Sequence, residues 1–385
     1  MEHEESSSDR LRRIYASVFF SSVGLGSVYL VPAFAEELRA SYLELGLIGT
    51  VRSLPYMVLP VIAGYLGDRF DRRSLYLSSI FLSGAATLML SLANTVTGIV
   101  LVQAFLGIGF ALFWPLSEAL ISESAPLQKR TAVMGRYAVA WASGFLISPL
   151  LGGLVADAAG FHSAFIAAAL ILLCTGVFSV AAVRRSTKRQ RQETELSARP
   201  DWLFVSKVLP VVIIQVPYGI VFAFIVSIFP GYATASGLLP SEVGALLSGF
   251  GLARTVTFSL AGRFEKIGER KMAAAAFVGM AAVLLLIPLA QDFLGLFAAM
   301  CFMGICLGII YPQTLGYISK HAPSANMGFA VGLYETIFGV GFAAGPIASG
   351  FVAQVAGPDF AYLALAVVAL ASVPMLVISK PNRTE

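Results

Sequence analysis

Twelve predominantly apolar stretches recur along the chain, at about 14–35, 45–66, 75–93, 97–120, 131–155 and 162–183, then 206–230, 242–262, 272–290, 293–318, 327–353 and 359–378. Each is long enough to cross a hydrocarbon core of about 30 Å as a helix rising about 1.5 Å per residue. Prolines inside these stretches, among them Pro55, Pro115, Pro149, Pro312 and Pro346, would break helices in water. In lipid, neighbouring helices can re-satisfy the freed carbonyls. The stretches lack the alternation of barrel strands and are rich in glycine and proline, which excludes a β-barrel.

Composition strengthens this picture. Of 385 residues, 57% are hydrophobic and 12% charged, with a mean hydropathy of +0.81. A water-soluble domain carries about 25% charged residues, so soluble, disordered and disulfide-scaffold classes are excluded. Cys174, Cys301 and Cys306 lie inside apolar runs and imply no disulfide framework. The chain reads as an all-α integral membrane protein.

Charge sets the expected orientation. With the N-terminus in the cytoplasm, 23 of the 26 Lys and Arg fall inside, only Arg39 falls outside, and Arg52 and Arg254 lie within spans. The formal charge of +4 therefore reflects insertion rather than nucleic-acid binding. Both termini are expected in the cytoplasm of a multi-pass plasma-membrane protein, with the first apolar run kept as a helix.

The polar stretch at 184–202 divides the spans six and six. Sliding one half over the other by 197 residues aligns Gly107 with Gly304, Pro115 with Pro312, Gly135 with Gly332, Gly144 with Gly341, Pro149 with Pro346, Gly153 with Gly350 and Gly160 with Gly357. Nearer the chain ends the offset slips by one, pairing Gly46 with Gly244. The expectation is an N-terminal six-helix bundle (1–185), a cytoplasmic linker (186–202) and a C-terminal six-helix bundle (203–385). Two such repeats meeting at a pseudo-twofold axis would create a mid-membrane cleft, exposed to each side in turn as the halves rock.

Two motifs carry a family resemblance. Gly64-Tyr-Leu-Gly-Asp68-Arg69-Phe-Asp-Arg72-Arg73 resembles the G-x-L-x-D-R-x-G-R-R signature of the major facilitator superfamily, with Asp71 in place of its glycine. A degenerate copy at 261–271 carries Glu265 and Arg270. Span five places Gly135, Gly144, Ser148-Pro149 and Gly152-Gly153 in an order similar to the superfamily's antiporter pattern, and span eleven repeats it with Gly332, Gly341, Gly345-Pro346 and Gly350. The resemblance implies the twelve-helix fold of two pseudo-symmetric bundles, closest in motifs to the drug and solute antiporter branch. It also implies a conformational switch built on Gly64, Asp68, Arg69, Arg72, Arg73, Glu265 and Arg270. The span-five and span-eleven glycines and prolines would form a close helix seam. Gln103 stands where proton-coupled exporters of this kind often carry an arginine.

Charged side chains inside the bilayer cost about 2.5–3.5 kcal/mol each on insertion scales and call for a role. Arg52 and Arg254, on comparable helices of the two halves, would either clamp one anion with forked hydrogen bonds or form local pairs, with Glu335 the obvious partner. Glu335 is also the proton-coupling candidate. Glu118 and Arg136 suit a structural pair. If the superfamily arrangement holds, Tyr29, Gln103, Trp114, Gln215, Tyr218, Tyr311 and Gln313 join the substrate-binding set, an aromatic, amide-dotted lining suited to an organic solute.

No P-loop, dinucleotide fingerprint, HExxH or CxxC occurs, so no cofactor, metal or enzymatic chemistry is expected. His3, His162 and His321 are expected in solvated loops or tails. The expected function is secondary active transport of a small organic solute by alternating access, coupled to protons and leaning to efflux, by a monomer. The alternative is an anion carrier or exchanger using Arg52 and Arg254. A transporter-like receptor or membrane enzyme is the reading from another class.

Overall fold

The computed structural model describes residues 7–124, 130–183, 213–260, 268–290, 292–321 and 327–378, and every element among them is helical. Span one runs Ser7–Gly26, passes through the tight turn Ser27–Leu30 and continues as Val31–Glu37. Spans two, three and four are Tyr42–Arg69, Arg72–Leu90 and Val96–Glu123. Spans five and six form one run, Arg130–Ala182, divided at Gly160, whose φ of 83° and ψ of 162° end the helix. Span seven comprises Gln215–Ser227 and Phe229–Ala235. Spans eight to twelve are Pro240–Ser259, Glu269–Leu286, Phe293–His321, Met327–Ala356 and Pro358–Ile378. All twelve expected spans are thus represented. Among the described residues, nine helices are long and apolar enough to cross a membrane, and Val133–Ala182 holds two spans in one.

The sequence repeat reappears in the backbone. Gly160 and its counterpart Gly357 both adopt positive φ, 83° and 98°, where a side chain would be strained. Each lets the chain reverse between adjacent spans. Span two begins with a reciprocal cap, Ser41 N–H donating to Glu44 Oε2 at 2.8 Å and Glu44 N–H to Ser41 Oγ at 3.3 Å. At the equivalent start of span eight, Leu239 N–H donates to Glu242 Oε2 at 2.8 Å. Asp71, the departure from the signature, caps span three by accepting from Ser74 N–H at 3.3 Å and Ser74 Oγ at 2.7 Å.

The chain forms two compact units. The first comprises 1–40, 51–188 and 233–248, and the second 41–50, 189–232 and 249–385. Within the first, span one packs along spans five and six, and span three along span four; within the second, span seven packs along span eleven and span nine along span twelve. The helices of spans two and eight are each divided between the units. Large apolar side chains such as Val177 and Leu294 are about two-thirds exposed, which suits contact with lipid.

Candidate functional site

Each unit holds an aromatic cluster, and in the second the rings enclose an arginine. In the first unit, Trp114 of span four is the hub, with ring centroids 5.6 Å from Phe110, 5.4 Å from Trp141 and 5.8 Å from Phe145. Tyr29 lies 5.6 Å from Phe145, and Tyr56 lies 6.1 Å from Phe110. Arg52 is buried, interacts electrostatically with Tyr29 and directs Nη1 to the Val28 carbonyl at 3.4 Å. Its own carbonyl abuts Gly107, where any side chain would collide with it. Gln103 is fully buried, and neither amide atom has a hydrogen-bond partner among the described residues. Leaving a buried amide unpaired costs about 1–3 kcal/mol per group.

The second unit is built more tightly. The Arg254 guanidinium carbon stands 4.6 Å from the Phe222 ring centroid and 5.0 Å from that of Phe258, and Nη2 donates to the Tyr218 hydroxyl at 2.8 Å. Stacking on two rings is favourable for a weakly hydrated, delocalised cation away from water. Arg254 Nε is buried without a partner among the described residues. Tyr311 lies 6.4 Å from Tyr218, 5.7 Å from Phe258 and 5.7 Å from Tyr334. Tyr334 is fully buried, and its hydroxyl has no partner among the described residues. Glu335 is close enough to act electrostatically on both Tyr218 and Tyr334. Gln215 is buried and donates Nε2 to Thr314 Oγ1 at 2.6 Å; among the described residues its Oε1 and both atoms of the Gln313 amide have no partner.

One model, described as Major Facilitator Superfamily, matches residues 14–239 and again 211–385. The chain belongs to that superfamily. An uncharacterised MFS-type transporter from Methanocaldococcus jannaschii is 24% identical over 352 residues, covering 89% of this chain and 91% of that protein. The quinolone resistance protein NorA of Staphylococcus aureus strain COL is 23% identical, with 97% of each chain covered, and multidrug resistance protein 2 of Bacillus subtilis is 22% identical over 353 residues, 88% of this chain and 87% of the relative. Among solved structures, a mutant of the nucleoside transporter NupG superposes with a TM-score of 0.80 at 13% identity, covering 97% of this chain and all of that one. A peptide transporter of the POT type gives 0.78 at 14%, covering 96% and 93%. These structures establish the MFS fold of the chain.

The superfamily motifs divide by what they touch. The backbone of Gly64, Asp68 and Arg69 lies in span two, while their side chains, and Glu265 entirely, lie outside the described residues. Arg73 donates to the carbonyls of Val180 and Val183 at the end of span six, and so caps that helix. Arg72 and Arg270 open spans three and nine. In span five, Gly144 meets the Phe19 carbonyl of span one, and in span eleven Gly341 and Gly345 meet Val216 and Ile220 of span seven. Gly153 and Gly350 instead meet Pro240 and Tyr42, at the starts of spans eight and two. A Cβ at Gly135 would have nothing within 4 Å among the described residues, and the surroundings of Gly332 lie outside them. Ser148, which replaces a motif glycine, donates to the Val23 carbonyl at 2.5 Å. His162, expected to be solvated, is bonded through Nδ1 to the Ser91 carbonyl at 2.6 Å and stands edge-on to Phe34.

Sequence reading overlooked Phe222 and Phe258, the two rings that hold Arg254, and Phe110 and Phe145 around Trp114. The available signal was the spacing of Phe258 four residues after Arg254, which places it on the same helical face.

Proposed function

We propose that this superfamily member is a secondary carrier that expels an amphiphilic organic solute by alternating access, exchanging it for protons. The observation that supports this most is the pair of aromatic clusters, one per unit, the second enclosing Arg254, together with buried amide or hydroxyl groups in the same units that have no partner among the described residues. Rings supply apolar contact for a planar solute, and the orphaned polar atoms supply sparse orienting hydrogen bonds. The resistance proteins among the relatives support efflux over uptake. In this reading Trp114, Tyr29 and Gln103 contact solute from the first unit, and Tyr218, Tyr311, Gln215 and Gln313 from the second. Glu335 carries the proton, and the signature residues Asp68, Arg69 and Glu265 bias the conformational equilibrium. The carrier acts as a monomer in the plasma membrane with both termini cytoplasmic, as bundles 1–185 and 203–385 joined by 186–202, and without a catalytic step.

The test is flux of a fluorescent lipophilic cation in proteoliposomes under an imposed pH gradient. Accumulation that follows the gradient supports proton exchange; flux indifferent to it removes the proton clause. A second reading, an anion carrier, is favoured by one observation, the unpartnered Nε of Arg254. It predicts that benzoate flux is lost when Arg52 and Arg254 are both replaced by Gln.

A further inference from the structure

The two seams that hold spans two and eight repeat one another contact for contact. In the second unit, the Tyr42 carbonyl abuts Gly350, Gly46 abuts the Pro346 carbonyl, and the Thr50 hydroxyl donates to the Ala343 carbonyl at 2.7 Å. In the first unit, the Pro240 carbonyl abuts Gly153, Gly244 abuts the Pro149 carbonyl, and the Ser248 hydroxyl donates to the Leu146 carbonyl at 2.6 Å. The repeat superposes Tyr42 on Pro240, Gly46 on Gly244 and Thr50 on Ser248. In each seam the hydroxyl reaches the carbonyl three residues before a helix-interior proline, where the ring bends the helix and loosens its ladder. Thr50 Oγ1 also accepts from Ile347 N–H at 3.1 Å, so it spans the loosened step from both sides. Both hydroxyls lie at the boundary within a divided helix. Residues 41–50 belong to the second unit while 51–69 belong to the first, and 233–248 belong to the first while 249–259 belong to the second.

We propose that Thr50 and Ser248 are paired positioning residues of the transport cycle: two hydroxyl latches, one per repeat, whose release at the proline bends of spans eleven and five frees the first three turns of spans two and eight. The proposal rests on the reading of the chain as an alternating carrier. Glycines on the same face allow the close approach, and the hydroxyls give the closed state a directional bond that must break on opening.

The test uses a parent in which Cys174, Cys301 and Cys306 are replaced by Ala and Ser227 by Cys. Ser227 is 1% exposed and sits against Gly49, one residue from the first latch. Labelling of that thiol by a maleimide in lipid nanodiscs reports opening, and it needs neither solute nor ion gradient. A neutral hydrogen bond is worth about a factor of five in an equilibrium, so Thr50→Val and Ser248→Ala each raise the labelling rate about fivefold, and the double variant roughly 25-fold. Thr50→Ser, which keeps the hydroxyl, labels at the parental rate. Gel filtration and the melting midpoint identify variants that fold, and Ser248→Ala, the smaller change, carries the test if Thr50→Val does not. Parental labelling rates in the folded variants, or Thr50→Ser labelling as fast as Thr50→Val, overturn the proposal. Absent flux in proteoliposomes with raised labelling overturns the carrier reading and with it the latches' role in transport, whereas parental labelling with flux intact overturns the latches alone.

Discussion

Gly341→Ala separates the two kinds of glycine that share one motif. A Cβ at Gly341 collides with the Val216 carbonyl oxygen and lies 2.9 Å from its carbon and 3.0 Å from its Cα. The obstruction is backbone, so no side-chain rotation relieves it, and span seven must shift away from span eleven. Overpacking of this kind costs about 1–3 kcal/mol, of which better helix propensity returns up to about 1 kcal/mol. At about 2–4 °C per kcal/mol for a unit of this size, the melting midpoint falls by about 5 °C. Gly135→Ala is the control: nothing lies within 4 Å of its Cβ, so only the propensity gain applies and the midpoint holds or rises. Both are read by thermal unfolding of purified protein in one detergent. If Gly341→Ala melts at or above the parent, the backbone contact between spans seven and eleven does not exist as described.

Further outcomes follow from the site and the caps. Glu335→Gln retains solute exchange down its own gradient but loses accumulation driven by a pH gradient, measured in the same proteoliposomes. Tyr218→Phe removes the hydroxyl that receives Arg254, and affinity for the transported solute, read by ligand-induced thermal stabilisation, changes about fivefold, the worth of one modest hydrogen bond. Asp71→Ala loses the cap of span three and costs about 1 kcal/mol, whereas Asp71→Gly, which restores the superfamily's residue, costs only a few tenths; chemical denaturation distinguishes them.

Much of the architecture is legible in the residues. Apolar runs of about twenty give the spans, and the 197-residue offset anticipates both turn glycines, Gly160 and Gly357. Within the repeat, Gly144 and Gly341 recur where the backbone of another span approaches, a demand of packing that the offset alone does not specify. The site is less legible for a physical reason. Helices apolar on every face carry no period that tells lipid from core, so Phe222 and Phe258 look like any other membrane phenylalanine until packing brings them to Arg254. Likewise Thr50 and Ser248 resemble the many hydroxyls that bond their own helix, such as Ser83 to the Ser79 carbonyl at 2.8 Å. Only the fold reveals that their acceptors lie on another span. Gly135 and Gly144 belong to one motif in one span, yet the first is open among the described residues and the second is jammed against backbone. Spacing alone does not separate them.

The most direct test of the carrier account is accumulation of a fluorescent lipophilic cation by inverted membrane vesicles containing the protein, with an acidic interior. The account predicts concentrative uptake that collapses when a protonophore is added and that is absent from vesicles lacking the protein. Uptake equal in the two vesicle preparations would contradict it.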